Sequence, residues 1–151
     1  MTGMSKWAVI NGIWAAGRHK GYFADKVYLL NKVGNKTEED QLVKSIKEYY
    51  KSHGKDTVVM IETVDEKEFV ATGKKITKII ETEKAQGNEV ALETTPGRKA
   101  VVSSALVAAR EKKVDHIFYL YIEDVYMADK PYPMIPFQIQ RAVDLEKEVW
   151  M

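Results

Sequence analysis

The sequence predicts an α/β domain: a mostly parallel sheet of about six strands, with helices on both faces. Three observations carry this. Short apolar runs alternate along the chain with longer stretches of helical periodicity. The run Val58-Val59-Met60-Ile61 is apolar without alternation, as in a parallel strand covered on both faces. The longer stretches open on Asp, Glu or Thr and close near Gly, the usual signals of helix start and stop.

Lys6–Ile13 (KWAVINGI) reads as a buried first strand, and Asn11-Gly12 near its end invites a turn. Residues 14–24 read as a loop or short helical turn, too short for a full crossover helix. The loop mixes Trp14 and Tyr22 with Arg18, His19 and Lys20, a composition that suits phosphates and stacked bases. It equally suits a surface loop whose rings cap the core. Asp25–Lys32 is a second strand. Thr37 caps a helix with Leu42, Val43, Ile46, Tyr49 and Tyr50 on one stripe, ended by Gly54. Asp56–Thr63 is a third strand, and Asp65 to Glu68 is a capping box for a helix that runs towards Gly87 and carries a mild weakness at Gly73. Glu89–Glu93 is a fourth strand. The small-residue helix after Lys99 reads as central and buried, with Ser103 and Ser104 as packing residues. Val114–Asp124 is a fifth, aromatic strand with a structural His116 at its start. After a Pro-punctuated loop at 125–136, Phe137–Gln140 is either an edge strand or the start of a final helix through Trp150.

At 151 residues the chain is read as one domain, residues 1–151, with no linker and no repeats. A net charge of +1 argues against a broad face for duplex nucleic acid but allows a local cationic pocket. The absence of cysteine excludes disulfides and thiolate metal sites and fits a reducing, cytoplasmic location. No run approaches the ~20 apolar residues of a membrane span, and no signal peptide is visible. His19, His53 and His116 lack ligand spacing, so no metal site is expected.

The densest chemistry lies at Thr94-Thr95-Pro96-Gly97-Arg98-Lys99, between the fourth strand and the helix after it. Gly97 lets backbone amides approach a ligand, the helix start presents unpaired N–H groups, and two cations and two hydroxyls stand beside them. The segment is neither a Walker loop nor a dinucleotide fingerprint. Taken alone, it is as well an ordinary turn with surface cations. In an open α/β sheet, ligands bind beyond the carboxyl ends of the strands; if the first and fourth strands are neighbours, this turn and the loop after the first strand face each other across one crevice. The third strand's exit, with Glu62, Asp65 and Glu66, is acidic.

The order of elements over residues 6–124, and above all V-A-L-E-T-T-P-G-R-K-A, resembles the CARF domains, the Rossmann-like sensors of type III CRISPR systems. Their usual turn is Thr-Gly-Gly-Thr-Lys. Here Pro96 replaces the first glycine and Arg98 the threonine, while Gly97 and Lys99 keep their places. The resemblance implies a cyclic oligoadenylate ligand, commonly the tetra-adenylate, held across a homodimer, with no cofactor. It implies that Thr94, Thr95, Pro96, Gly97, Arg98 and Lys99 line the phosphates and riboses, and that Asn11, Gly12 and Trp14 form the first-strand motif. Arg18 and Lys20 are secondary candidates. An effector domain or partner would lie outside this chain. A standalone ring nuclease is the close alternative: a ribose 2′-OH attacks its own 3′ phosphate, Lys99 and Arg98 stabilise charge, Asn11 and Trp14 orient the ribose, and His19 is a speculative base. From other classes, a nucleotide-cofactor enzyme and a scaffolding dimer stay open.

Overall fold

The computed structural model describes residues 6–32, 34, 36–65 and 67–149. Helix α1 (Lys6–Lys20) leads into strand β1 (Lys26–Lys32). Then come α2 (Lys36–Ser52), β2 (Val58–Val64), α3 (Phe69–Ala85), β3 (Ala91–Glu93), α4 (Lys99–Glu111) and β4 (His116–Ile122). Two single 3-10 turns, Tyr132–Met134 and Phe137–Ile139, precede β5 (Gln140–Asp144) and a last helical turn, α5 (Leu145–Glu148).

The expected first strand is a helix. Val9, Ile10, Ile13, Ala16 and Gly17 recur at three- and four-residue steps, the spacing of a helix face. Asn11, Gly12 and Ala15 are buried too, so α1 is covered nearly all round and its apolar run imitates a strand. Asn11, Gly12 and Trp14 therefore belong to a helix and not to a strand exit. The helix also absorbs most of the expected 14–24 loop, which removes the need for a short first crossover. Gly17 is required by packing: a Cβ there would overlap the Tyr49 hydroxyl and lie 3.0 Å from the Phe23 ring. Tyr49 is buried and its hydroxyl donates to the Trp14 carbonyl at 3.2 Å, so it cannot move aside freely. Gly17→Ala should cost about 1–2 kcal/mol, since overpacking outweighs alanine's better helix propensity. Urea unfolding would measure this, and a stabilised variant would contradict the packing argument.

The sheet also differs from expectation. β1 and β2 pair in parallel, Lys26 opposite Val58, as one two-stranded sheet. β3 and β4 pair in parallel, Ala91 opposite His116, and β5 joins β4 antiparallel, Phe118 opposite Asp144. Among the described residues, five strands in two sheets stand in place of the single sheet of about six mostly parallel strands. The C-terminal segment holds both expected elements in shifted form: a strand begins at Gln140, where the edge strand was expected to end, and only one turn of helix follows it. Thr37 lies inside α2 and does not cap it. Asp65 caps the turn before α3, accepting the Lys67 N–H at 2.9 Å, while Glu68 occupies the cap position of the helix itself.

Helices pack on both faces of β1, while Val58 and Met60 are exposed, so β2 is not covered on both faces as its unbroken apolar run suggested. Leu29 packs with α1 and α2 through Val9, Ile10, Leu42 and Ile46. On the opposite face, Leu30 and Val64 share a cluster with Leu92, Ile117 and the apolar sides of α3 and α4. One apolar layer thus runs beneath both sheets. Gly73 is what lets α3 and α4 meet: a Cβ there would stand 3.2 Å from the Ser104 Cβ, which bears out the packing role of the small residues. α4 is buried on one side only, through Val101, Ala105, Ala108 and Ala109, and exposes Val107, so it is amphipathic and not enclosed as expected.

Candidate functional site

The 94–99 turn links β3 to the N-terminus of the 13-residue α4, as the sequence suggested. Gly97 has φ 114°, a conformation that favours glycine. Arg98 occupies the N-cap in extended backbone and no side chain caps the helix. Arg98 and Lys99 are exposed and stand at the start of a helix whose first turn has no side-chain cap.

The threonines are committed elsewhere. Both the amide and the hydroxyl of buried Thr94 donate to the Phe118 carbonyl, at 2.9 Å each. The Thr95 hydroxyl donates to Glu93 and accepts the Leu120 N–H at 2.9 Å. These bonds continue the β3–β4 pairing past the last strand residue. They hold the turn in place and leave the hydroxyls occupied. Pro96 is buried.

The structure brings the α1 motif to the end of β3. A Cβ on Gly12 would overlap the Glu93 carboxyl group, so the missing side chain at Gly12 leaves the space that this carboxyl occupies. Asn11 is fully buried; its Nδ2 donates to the Lys130 carbonyl at 2.8 Å, while its Oδ1 has no hydrogen-bond partner among the described residues. Trp14 sits between Tyr49 and Tyr132, ring centroids 4.7 and 5.6 Å away. It serves an aromatic stack. Arg18 lies over the Phe137 ring at 4.1 Å, Lys20 pairs with Glu148, and His19 Nε2 contacts the Tyr132 hydroxyl at 2.8 Å. These three point to the C-terminal segment rather than towards the 94–99 turn.

Glu93 is the residue that sequence reading did not single out. The residue is half-buried, and burial of its carboxyl group pushes the pKa from 4.5 up to about 7. Hydrogen bonds from Thr95 pull the other way and lose. The available signal was weak: an acid at the end of an apolar strand, immediately before the turn. At neutral pH this group holds its proton part of the time, so it can give or accept one. His116, by contrast, is held by carboxylates at the start of β4: it joins Asp144 at 2.7 Å and Glu89 at 2.8 Å, opposite Ala91 at the start of β3.

Among the described residues, no helix is long and apolar enough to cross a membrane. No protein-family model matches the chain, and no curated protein is significantly similar to it in sequence.

Proposed function

We propose that the turn at 94–99 binds the phosphodiester of a nucleotide messenger, and that the messenger is a cyclic oligoadenylate, with the tetra-adenylate first among them. The observation that carries this reading is the junction of Gly97, at φ 114°, with an uncapped helix start bearing Arg98 and Lys99. Backbone N–H groups, helix dipole and two cationic residues stand within one short turn at the carboxyl end of a parallel strand. Because the Thr94 and Thr95 hydroxyls are engaged, phosphate contacts fall on the amides and cations and not on the threonines. A two-fold ligand is met by two copies of the turn across a homodimer. Its role would be that of a sensor in type III CRISPR antiviral signalling, in the cytoplasm, acting through an effector outside this chain.

The second reading, ring cleavage, is favoured by one observation: Glu93, with its pKa near 7, stands directly beside the turn. It could take the proton of the attacking 2′-OH, a role that His19, held against Tyr132, is badly placed to fill.

One experiment addresses both. The protein is incubated with a labelled ladder of cyclic oligoadenylates, and bound and free fractions are sized. One ring size should be retained, and Lys99→Ala should weaken its binding about ten- to a hundred-fold, the value of a lost charge-assisted contact. Recovery of an intact ring supports a sensor; recovery of linear product supports cleavage. Failure of every ring to bind at micromolar protein removes the proposal.

A further inference from the structure

Most aromatic rings of the chain are engaged within it. Tyr22 meets Phe118 edge to face, Phe23 meets Tyr49 and Tyr50, and the Tyr28 hydroxyl donates to Glu83. Two tyrosines of β4 are different. Tyr119 is 38% and Tyr121 51% exposed, and neither side chain makes a ring contact or a hydrogen bond among the described residues. Single exposed rings are ordinary on a protein surface. The place of this pair is what matters.

Successive side chains of a strand point to opposite faces. Ile117 packs with Val101, Ala105 and Ala108 of α4, whereas Leu120 packs with Ala15 of α1. Tyr119 and Tyr121 share the parity of Ile117, so they stand on the α4 side of the sheet. The helix leaves them uncovered because it begins there: Val101 is its first buried residue. β3 and β4 are parallel and α4 links them, so the helix runs against both strands. The step from Val101 back to Lys99 and Arg98 therefore follows β4 forward, from Ile117 towards the two tyrosines. The turn itself fixes the level. The Leu120 N–H donates to the Thr95 hydroxyl at 2.9 Å, so the turn meets β4 at the residue between the tyrosines. On the other side of β4, Val143 lies opposite Tyr119 and exposed Arg141 opposite Tyr121, on the same face.

We infer that Tyr119 and Tyr121 form a stacking subsite for a base of the nucleotide bound at the 94–99 turn. The inference rests on the reading of that turn as a phosphate site. Residues two apart in a strand stand ~6.8 Å from each other, twice the ~3.4 Å spacing of stacked bases, so one base has room between the rings. Cations that hold a phosphate chain beside rings that hold its bases are the pattern of single-stranded nucleotide binding. Arg141 extends the positive charge across the face, where the next phosphate of the same ligand would follow. Stacking tolerates any base, so the tyrosines contribute affinity and not the choice of adenine.

The test titrates the labelled cyclic oligoadenylate ladder into the parent protein, Lys99→Ala, Tyr119→Leu, Tyr121→Leu and Tyr121→Phe. Leucine keeps apolar cover and removes the ring; phenylalanine keeps the ring. Tyr121→Leu should weaken the retained ring size about tenfold or more, Tyr119→Leu should weaken it less, and Tyr121→Phe should bind as the parent does. Urea midpoints of all three should match the parent, since both positions are exposed. If the parent retains no ring, the reading of the turn falls and the inference falls with it. If a ring is retained and Lys99→Ala weakens it while both leucine variants bind normally, the inference alone falls. It falls also if Tyr121→Phe binds as weakly as Tyr121→Leu. A change from dimer to monomer in Tyr121→Leu, read by sedimentation velocity, overturns it too, since the face is then a contact between two copies of the chain.

Discussion

Asp144→Ala should destabilise the protein by about 3 kcal/mol, or ~6–12 °C in melting temperature for a domain of this size. The carboxylate is buried and holds three partners. It pairs with His116 at 2.7 Å, accepts the buried Ile117 N–H at 3.0 Å, and accepts the Glu146 N–H at 3.2 Å as the cap of α5. Burial alone would raise its pKa. The bonds from His116 and Ile117 outweigh burial and hold it below the usual carboxylate range. Alanine leaves a buried backbone donor without an acceptor, which alone costs about 1–3 kcal/mol, and removes the tie between β4 and the start of α5. Because the folded pKa is depressed, the stability this group contributes is present above the unfolded pKa and is lost as pH falls through the folded one. The loss in Asp144→Ala should therefore be largest at neutral pH and shrink in acid. Urea unfolding at pH 7 and at pH 3 measures both points; a loss below 1 kcal/mol at pH 7 contradicts the assignment.

Glu93→Gln should act with the opposite sign. The folded pKa is raised, from 4.5 to about 7, so the protonated form is the one the fold prefers. Its contribution is fully present below pH 4.5 and lost as pH rises through 7. A shift of this size corresponds to about 3 kcal/mol at pH 8. Glutamine keeps an acceptor for Thr95 and carries no charge to bury. The variant should thus be more stable than the parent at pH 8, by up to about 3 kcal/mol, and nearly equal to it at pH 4.5. Parallel unfolding curves across this range decide the matter. Equal stability at pH 8 would mean that the Glu93 carboxyl is solvated at the end of β3.

What the sequence showed and what it hid follow from where each residue finds its partners. Val27 to Leu30, Val58 to Ile61 and Ile117 to Leu120 are apolar on both parities and became strands, but Val58, Met60 and Tyr119 are exposed, so the unbroken run marked a strand and not its coverage on both faces. The same logic misled at Lys6–Ile13, where a helix buried nearly all round offers the same apolar run. β5 was blurred because Gln140 to Asp144 is only partly buried, and its place depends on β4 and on the Asp144 carboxylate. At the turn, Gly97, Arg98 and Lys99 stand as read, since a backbone conformation and a helix start are local properties. The hydroxyls of Thr94 and Thr95 are taken by Phe118 and Glu93, with Leu120 donating to Thr95; the strand partners lie 24 and 25 positions away and cannot be read from the turn itself. Glu93 owes its raised pKa to burial, and the space its carboxyl fills lies against Gly12, on a helix that the sequence presented as a strand.

The contacts of α1 with the end of the chain have a consequence for assembly of the fold. Asn11 to Lys130, His19 to Tyr132 and Lys20 to Glu148 join residues 119, 113 and 128 positions apart. The bond from Thr94 to Phe118 closes only 24. Loop-closure entropy grows by only ~0.6 kcal/mol per doubling of length, so the longer closure costs roughly 1.3 kcal/mol more than the shorter one. That surcharge falls on whichever long contact forms first; the other two then close at almost no further entropic cost. The three bonds consequently behave as a single latch, weak one by one and cooperative together, that secures the first helix to the loop after β4 and to the last helical turn.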